Sequence, residues 1–316
     1  MTGRRKAASH VLADVDESVP GPVNGPLPKY QNVSRAALLF LMLILCAGVA
    51  SGSGLNANTR TFTPAEEMRS EDWNDPVEME RVWQAALVRI PNPGNGHIET
   101  TAGELHTLQL DPGEKFPAVV FLHGCSGIGK GTHTRINFLA ANGYLVVAPP
   151  SMAREKYPQS CDRENLRGGL YRDTLKMRQY DAGYAIEKTK ALAWVDPDRV
   201  YLVGLSEGGI AAATFQSQPG KASIRARVVE GWTCHAAWDE YRGINAPAGE
   251  PVLTLLASED PWFQGPTTRG ECTGFLHPGN GSKSVVYTEA DLKQRHALLE
   301  DERVQAEVLD FLRKHH

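Results

Sequence analysis

The sequence predicts an α/β protein whose sheet is mostly parallel and covered by helices on both faces. Two observations carry that prediction. Short apolar runs rich in β-branched residues, such as 118–122, 144–148 and 252–256, alternate with stretches of helical composition from Pro117 onward. One such unit, 199–215, joins a strand to an Ala-rich helix through Gly204-Leu-Ser-Glu-Gly208. Gly-x-Ser-x-Gly between a strand and a helix is a nucleophile elbow, a tight turn that lifts one serine hydroxyl above the sheet. Small residues are needed there because Ser206 sits in strained backbone and the helix lies close to the strand.

Taken in order, the chain begins with a stretch unlike the rest. Residues 1–35 are rich in Pro and Gly, mix charges and show no sustained apolar period, which reads as a disordered cytoplasmic tail or n-region. Residues 36–53 are apolar and free of charge, with Arg35 before them and small residues at Gly48 and Ala50. That pattern fits a secretory signal cleaved near Ala50, or an uncleaved signal-anchor. A lipoprotein site is disfavoured because Leu45 precedes Cys46. Lys29 and Arg35 keep the N-terminus inside, so either reading exports the body of the chain to the periplasm or beyond, and the membrane is a partner only through an uncleaved segment. Residues 54–85 read as a polar linker and the start of the fold, and 86–316 as one α/β domain.

Within that domain, 86–90 and 104–110 read as strands separated by the Pro-Asn-Pro-Gly-Asn-Gly turn at 91–96. A strand at 118–122, a helix at 132–142 closed by Gly143 and a strand at 144–148 follow. An irregular stretch from Pro149 to Gly169 leads into a helix at 170–194. Asp196-Pro-Asp-Arg199 turns the chain into the elbow strand. Strands at 227–231, 252–256 and 284–288 and a closing amphipathic helix at 298–314 complete the alternation.

Composition is ordinary for a globular core, with 41% hydrophobic and 22% charged residues. A net charge of −4 gives no electrostatic case for nucleic acid. No Cys or His pair has metal-ligand spacing, so neither a metal nor another cofactor is expected. Oligomeric state is left open.

A nucleophilic serine needs a base within reach and an acid to orient that base. Asp260 follows the strand at 252–256 and His296 follows the strand at 284–288, which gives the order Ser206, Asp260, His296. Pro261 holds Asp260 extended from the strand end, favouring it over Glu259 and Asp239. His235 and His277 are the competing bases. Trp232, Trp238, Tyr241, Trp262 and Phe263 follow strand ends and offer either core packing or an apolar wall for a substrate. Arg154 and Arg163, in the long loop, are candidates to meet an anionic substrate group, the alternative being plain solvated surface.

His123-Gly-Cys-Ser-Gly127 after a strand, Asp196-Pro-Asp-Arg199 before the elbow, Asp260-Pro-Trp262, and Arg295-His296 before the last helix together resemble the dienelactone hydrolase-like branch of the α/β-hydrolases. The resemblance spans roughly 86–316. It implies Ser206 as nucleophile, Asp260 as acid, His296 as base, and an oxyanion hole from the backbone N–H groups of Cys125 and Glu207. The name-giving dienelactone hydrolases carry Cys where this chain has Ser206, which points away from dienelactone and toward a serine esterase acting on a small carboxylic ester, lactone or thioester. It further implies that the strand before His123 neighbours the strand from Tyr144, and that the strands from Arg227 and Val252 are neighbours. Cys125 and Cys161 both follow the first pair, and Cys234 and Cys272 the second, so disulfides Cys125–Cys161 and Cys234–Cys272 are expected in an exported domain.

Two other classes compete. Gly124-Cys-Ser-Gly-Ile-Gly-Lys130 matches the start of a phosphate-binding P-loop, but Gly131 stands where Mg²⁺ binding needs Ser or Thr. A non-catalytic hydrolase-fold binding protein is opposed by the intact Ser-Asp-His set. If Ala50 ends a signal peptide, N-terminal sequencing of the exported protein should read from near Ser51. Recovery of intact residues 1–50 in a membrane fraction would identify an anchor instead.

Overall fold

The computed structural model describes residues 61–316 except Asn95, Asp111, Pro112, Glu114 and 218–222. The tail, the apolar segment at 36–53 and Cys46 lie outside the described residues. Among those described, no helix is long and apolar enough to cross a membrane.

Helix α1 (Pro76–Gln84) starts behind Asp75, whose carboxylate accepts the Val77 N–H at 2.8 Å, with Pro76 in the first turn where its missing N–H costs nothing. Strands β1 (Leu87–Pro91) and β2 (His97–Thr101) form an antiparallel hairpin. Then come β3 (Phe116–Leu122), α2 (Lys130–Ala141) and β4 (Leu145–Ala148). The long irregular stretch holds a small hairpin of β5 (Cys161–Asp162) and β6 (Arg167–Gly168). Next are α3 (Thr174–Lys190), β7 (Val195–Leu205) and α4 (Glu207–Thr214), followed by β8 (Arg227–Glu230), β9 (Val252–Ala257), β10 (Lys283–Tyr287) and α5 (Glu302–Lys314).

Eight of these strands make one sheet in the order β2-β1-β4-β3-β7-β8-β9-β10. Pairing is parallel from β4 through β3 to β10, whereas β1 pairs antiparallel with both β2 and β4. The expected neighbours β3–β4 and β8–β9 are both present. Alternate side chains of each strand feed opposite faces. On β3, Ala118, Val120 and Leu122 pack toward α3 and α4, while Val119 and Phe121 pack toward α2 and α5. The α/β architecture with helices on both faces is therefore the one the alternating pattern predicts.

Two stretches differ from the sequence reading. Residues 104–110 are not a strand: Ala102–Thr107 is a 3₁₀ turn and the hairpin partner is β2. Leu105, Leu108 and Leu110 were spaced ambiguously, and of these only Leu105 is fully buried. The linker ends earlier than expected. Thr63 donates its N–H to the Tyr157 carbonyl at 2.9 Å, Met68 is buried, and α1 packs on α3.

One buried ion pair fixes the site from below. Arg135 of α2 holds Glu230, the last residue of β8, through two bonds of 2.6 and 2.8 Å, with both side chains out of contact with solvent. Glu230 also accepts the N–H of Leu299 at 2.7 Å, and its backbone carbonyl accepts the N–H of Ser206 at 2.8 Å. The carboxylate and its carbonyl thus link the elbow to the loop that follows His296. Removing one partner leaves an uncompensated buried charge. Arg135→Met should lose about 3–5 kcal/mol of stability in urea titrations, and adding Glu230→Gln should recover part of that loss.

Candidate active site

Ser206 joins β7 to α4 with φ +59 and ψ −121, a region that side chains other than glycine rarely occupy. The turn is possible only because its neighbours lack side chains. A Cβ on Gly204 would lie 2.1 Å from the Gly208 carbonyl oxygen, and one on Gly208 would lie 2.1 Å from that of Leu122. Helix and strand are therefore in backbone contact, and the Ser206 side chain has only one way to go, into the cleft above the sheet.

Asp260 caps the short Pro261–Phe263 turn beyond β9, as Pro261 led us to expect. One carboxylate oxygen accepts the Trp262 N–H at 3.0 Å and the other lies 2.7 Å from Nδ1 of His296. Asp260 is buried and His296 half-buried. His296 rests on Gly231, where a Cβ would come within 3.2 Å of the imidazole Cε1. Nε2 of His296 is buried and has no hydrogen-bond partner among the described residues. The competitors are engaged elsewhere or turned outward. His235 bonds the Glu271 carbonyl at 3.2 Å, Glu259 holds Lys293 and Gln294, and Asp239 and His277 are exposed.

A cleft of about 220 Å³ opens at Ser206 and is lined by both Cys125 and Glu207. Trp232, Trp262 and Phe263 line it too, so the aromatic cluster of the sequence supplies its wall as well as core. Phe263 stands between Trp232 and His296, its ring centroid 5.5 Å from the first and 5.7 Å from the second. Of the stretch 124–130, which resembled a P-loop, Cys125 lines this cleft, and Lys130 is exposed at the start of α2.

Arg154 is not a substrate-facing group. It is buried against Asp181 at 2.6 Å and donates to the carbonyls of Asp72 and Trp73 at 2.7 and 3.1 Å. A guanidinium satisfied on every side by one carboxylate and two carbonyls is a structural strut. Arg163 is exposed and lies outside the cleft lining.

Sequence reasoning missed Arg178. This buried residue of α3 donates to the Glu207 carboxylate at 2.8 Å and to the carbonyl of His123. Ser160 donates to the same Glu207 oxygen at 3.0 Å. One guanidinium thereby spans the residue after Ser206 and the loop that leads to Cys125. The signal was a charged residue on the stripe that Leu175, Ala182 and Ala185 bury. Burial and the neighbouring Arg178 cation push His123 down to about 3, so it is a neutral imidazole. Its Nδ1 lies 2.7 Å from the Gly124 carbonyl, and Nε2 accepts the Ser151 N–H at 3.2 Å, which assigns the proton to Nδ1.

The four described cysteines pair as expected. Cys125–Cys161 ties the loop after β3 to the β5–β6 hairpin, and Cys234–Cys272 ties the loop after β8 to the excursion between β9 and β10. The first closes a sequence separation of 36 residues, for which chain entropy gives about 3–4 kcal/mol. Replacing Cys125 and Cys161 together by Ser should lower stability by about that amount in denaturant titrations, and dithiothreitol should have little further effect through this bond.

The dienelactone hydrolase family model matches residues 105–305. No curated protein matches the chain. Among solved structures, a Klebsiella pneumoniae protein assigned to the dienelactone hydrolases is similar at 16% identity, covering 72% of this chain and 98% of its own, with a TM-score of 0.46. Est1E from Butyrivibrio proteoclasticus is similar at 14% identity, with 72% and 93% coverage and a TM-score of 0.41. A hyperthermophilic esterase from Pyrobaculum calidifontis is similar at 14% identity, with 90% and 99% coverage and a TM-score of 0.42. The assignment rests on the family match, which spans well over half of the sequence. The chain belongs to the dienelactone hydrolase family and is a serine ester hydrolase on an α/β-hydrolase fold.

Proposed function

We propose that Ser206, His296 and Asp260 form a catalytic triad that cleaves a small carboxylic ester through an acyl-enzyme. The observation that carries the reading is the pairing of two features. Ser206 is held at an elbow that opens into the cleft, and His296 is tied to buried Asp260 through Nδ1 while its buried Nε2 has no hydrogen-bond partner among the described residues. A base oriented in this way offers Nε2 as the proton acceptor for a serine hydroxyl.

In the reaction, Ser206 Oγ attacks the ester carbonyl carbon as His296 Nε2 takes the hydroxyl proton. The carbonyl oxygen becomes an oxyanion, stabilised by the backbone N–H groups of Glu207 and Cys125. Glu207 opens α4, where helix-end N–H groups point outward. The tetrahedral species collapses as His296 gives its proton to the departing alkoxide. Water then repeats the sequence on the acyl-enzyme and releases the acid. Asp260 keeps the imidazole in the Nδ1–H tautomer and steadies its cationic form. Arg178 holds Glu207 and the His123 carbonyl, and so fixes both sides of the oxyanion site.

The paired disulfides support an oxidising location, and with it an exported catalytic domain behind the apolar segment at 36–53. Ser206→Ala and His296→Ala should each lower kcat by several orders of magnitude against a chromogenic ester, and Asp260→Asn by somewhat less. A folded Ser206→Ala protein with wild-type turnover would refute the triad.

A further inference from the structure

The cleft beside Ser206 is unusual in charge as well as shape. Among its described lining residues, Glu207 is the only one whose side chain carries charge at neutral pH, and its carboxylate is already held by Arg178 and Ser160. Tyr241 also lines the cleft, but its hydroxyl donates to the Arg172 carbonyl at 2.8 Å. No described lysine or arginine reaches the lining. Arg167 and Arg242 adjoin lining residues Gly168 and Tyr241 in sequence but do not themselves line the cleft. Arg167 is exposed and Arg242 lies over the Phe275 ring, while Arg172 lies over the Trp238 ring and pairs with Glu240, and Arg269 bonds the Gln264 side chain and backbone. Arg154, the cation first available for an anionic substrate, is buried in its own ion pair.

The walls are aromatic. Phe263 packs edge-on against Trp232, and Trp238 packs edge-on against Tyr241, each pair with centroids 5.5 Å apart. Trp262 adds a face whose centroid is 5.4 Å from His296, so aromatic surface runs from the base into the cleft. The floor of the hairpin side is closed by Gly169, at φ +70, where a Cβ would come within 2.4 Å of the Trp238 ring. This close approach sets Trp238 against the backbone beside the cleft. The cleft's volume of about 220 Å³ exceeds the ~150 Å³ of an apolar protein cavity that holds benzene, so a single aryl ring has room there.

We propose that the cleft takes an uncharged ester with a single aryl ring or short alkyl chain on its acyl side, and discriminates against esters that carry a carboxylate there. The inference rests on the serine-esterase reading above and extends it to substrate class. A carboxylate entering this cleft would shed water and meet aromatic faces and an existing carboxylate, with no lysine or arginine among the described lining residues to replace its hydration. A phenyl group would instead gain stacking and burial.

The test uses the full chain with both disulfides intact and p-nitrophenyl esters that differ only in the acyl group. For charge, the monoester of glutaric acid is compared with the same ester whose distal carboxyl is methylated. For shape, 3-phenylpropanoate is compared with acetate. The methylated glutarate should exceed the anionic one by roughly 100-fold in kcat/KM, and 3-phenylpropanoate should exceed acetate by roughly tenfold. Trp262→Ala should shrink the second ratio several-fold, a readout that cancels any general loss of activity. Charge and shape ratios near one, or an anionic ester that is preferred, would overturn the proposal. Labelling with a neutral alkyl fluorophosphonate tests the underlying chemistry separately. Labelling that requires Ser206, combined with flat ratios, overturns the substrate class alone, whereas absent labelling overturns both.

Discussion

The close contact of backbones at the elbow is the constraint on which the site depends. Gly204 and Gly208 bring α4 onto β7 until a single methyl group would sit about one bond-length-and-a-half from a carbonyl oxygen. Gly209 extends the contact to β8, where an added Cβ would lie 2.7 Å from the Glu230 carbonyl oxygen. The strain at Ser206 persists because this packing leaves the residue no relaxed alternative. The same contact sends the first turn of α4 toward the cleft, so the candidate nucleophile and a candidate oxyanion donor come from one local arrangement.

Around that centre, buried ion pairs set the remaining distances. Arg135 reaches from one face of the sheet to Glu230 under the elbow, and Arg178 reaches from the other face to Glu207 above it. Each guanidinium also takes a backbone carbonyl, Gly131 for the first and His123 for the second. Burial depresses the basicity of a guanidinium, yet Glu230 and Glu300 raise that of Arg135 beyond its ordinary value. Pairing of this quality gives little net stability over an apolar core, but it fixes geometry, since a broken pair strands a charge. The disulfides act on the loops rather than the sheet, closing the cleft from the hairpin side and from the β9–β10 excursion.

Most of the fold could be read from the chain because its strands are short, apolar and separated by helices, and because the elbow motif carries its own geometry. Ser206, Asp260 and His296 were nominated by order and by their places after strand ends. The 2.7 Å approach of His296 to Asp260 was not legible, since it joins loops 36 residues apart. Two readings failed for a common reason. The strand at 104–110 and the role of Arg154 were inferred from local composition, while both outcomes depend on tertiary partners: the β1 edge is taken by His97–Thr101, and Arg154 finds Asp181 on α3. Arg178 was hidden because a charged residue on a helix is usually solvated, and only its phase within the buried stripe marked it as different.

The buried arginines bear on how such a sequence can change over time. Arg135, Arg154, Arg178 and Arg227 are among the largest fully enclosed side chains, and each is matched to its own carboxylate, Glu230, Asp181, Glu207 or Glu250. Exchanging one member alone passes through an intermediate with a stranded charge, so drift at these eight positions has to proceed in coupled steps or not at all. The aromatic wall has no such bond to its surroundings, and one large apolar side chain can replace another there at modest cost. Such a lineage can therefore retune what enters the cleft one substitution at a time while the frame that holds the serine stays locked.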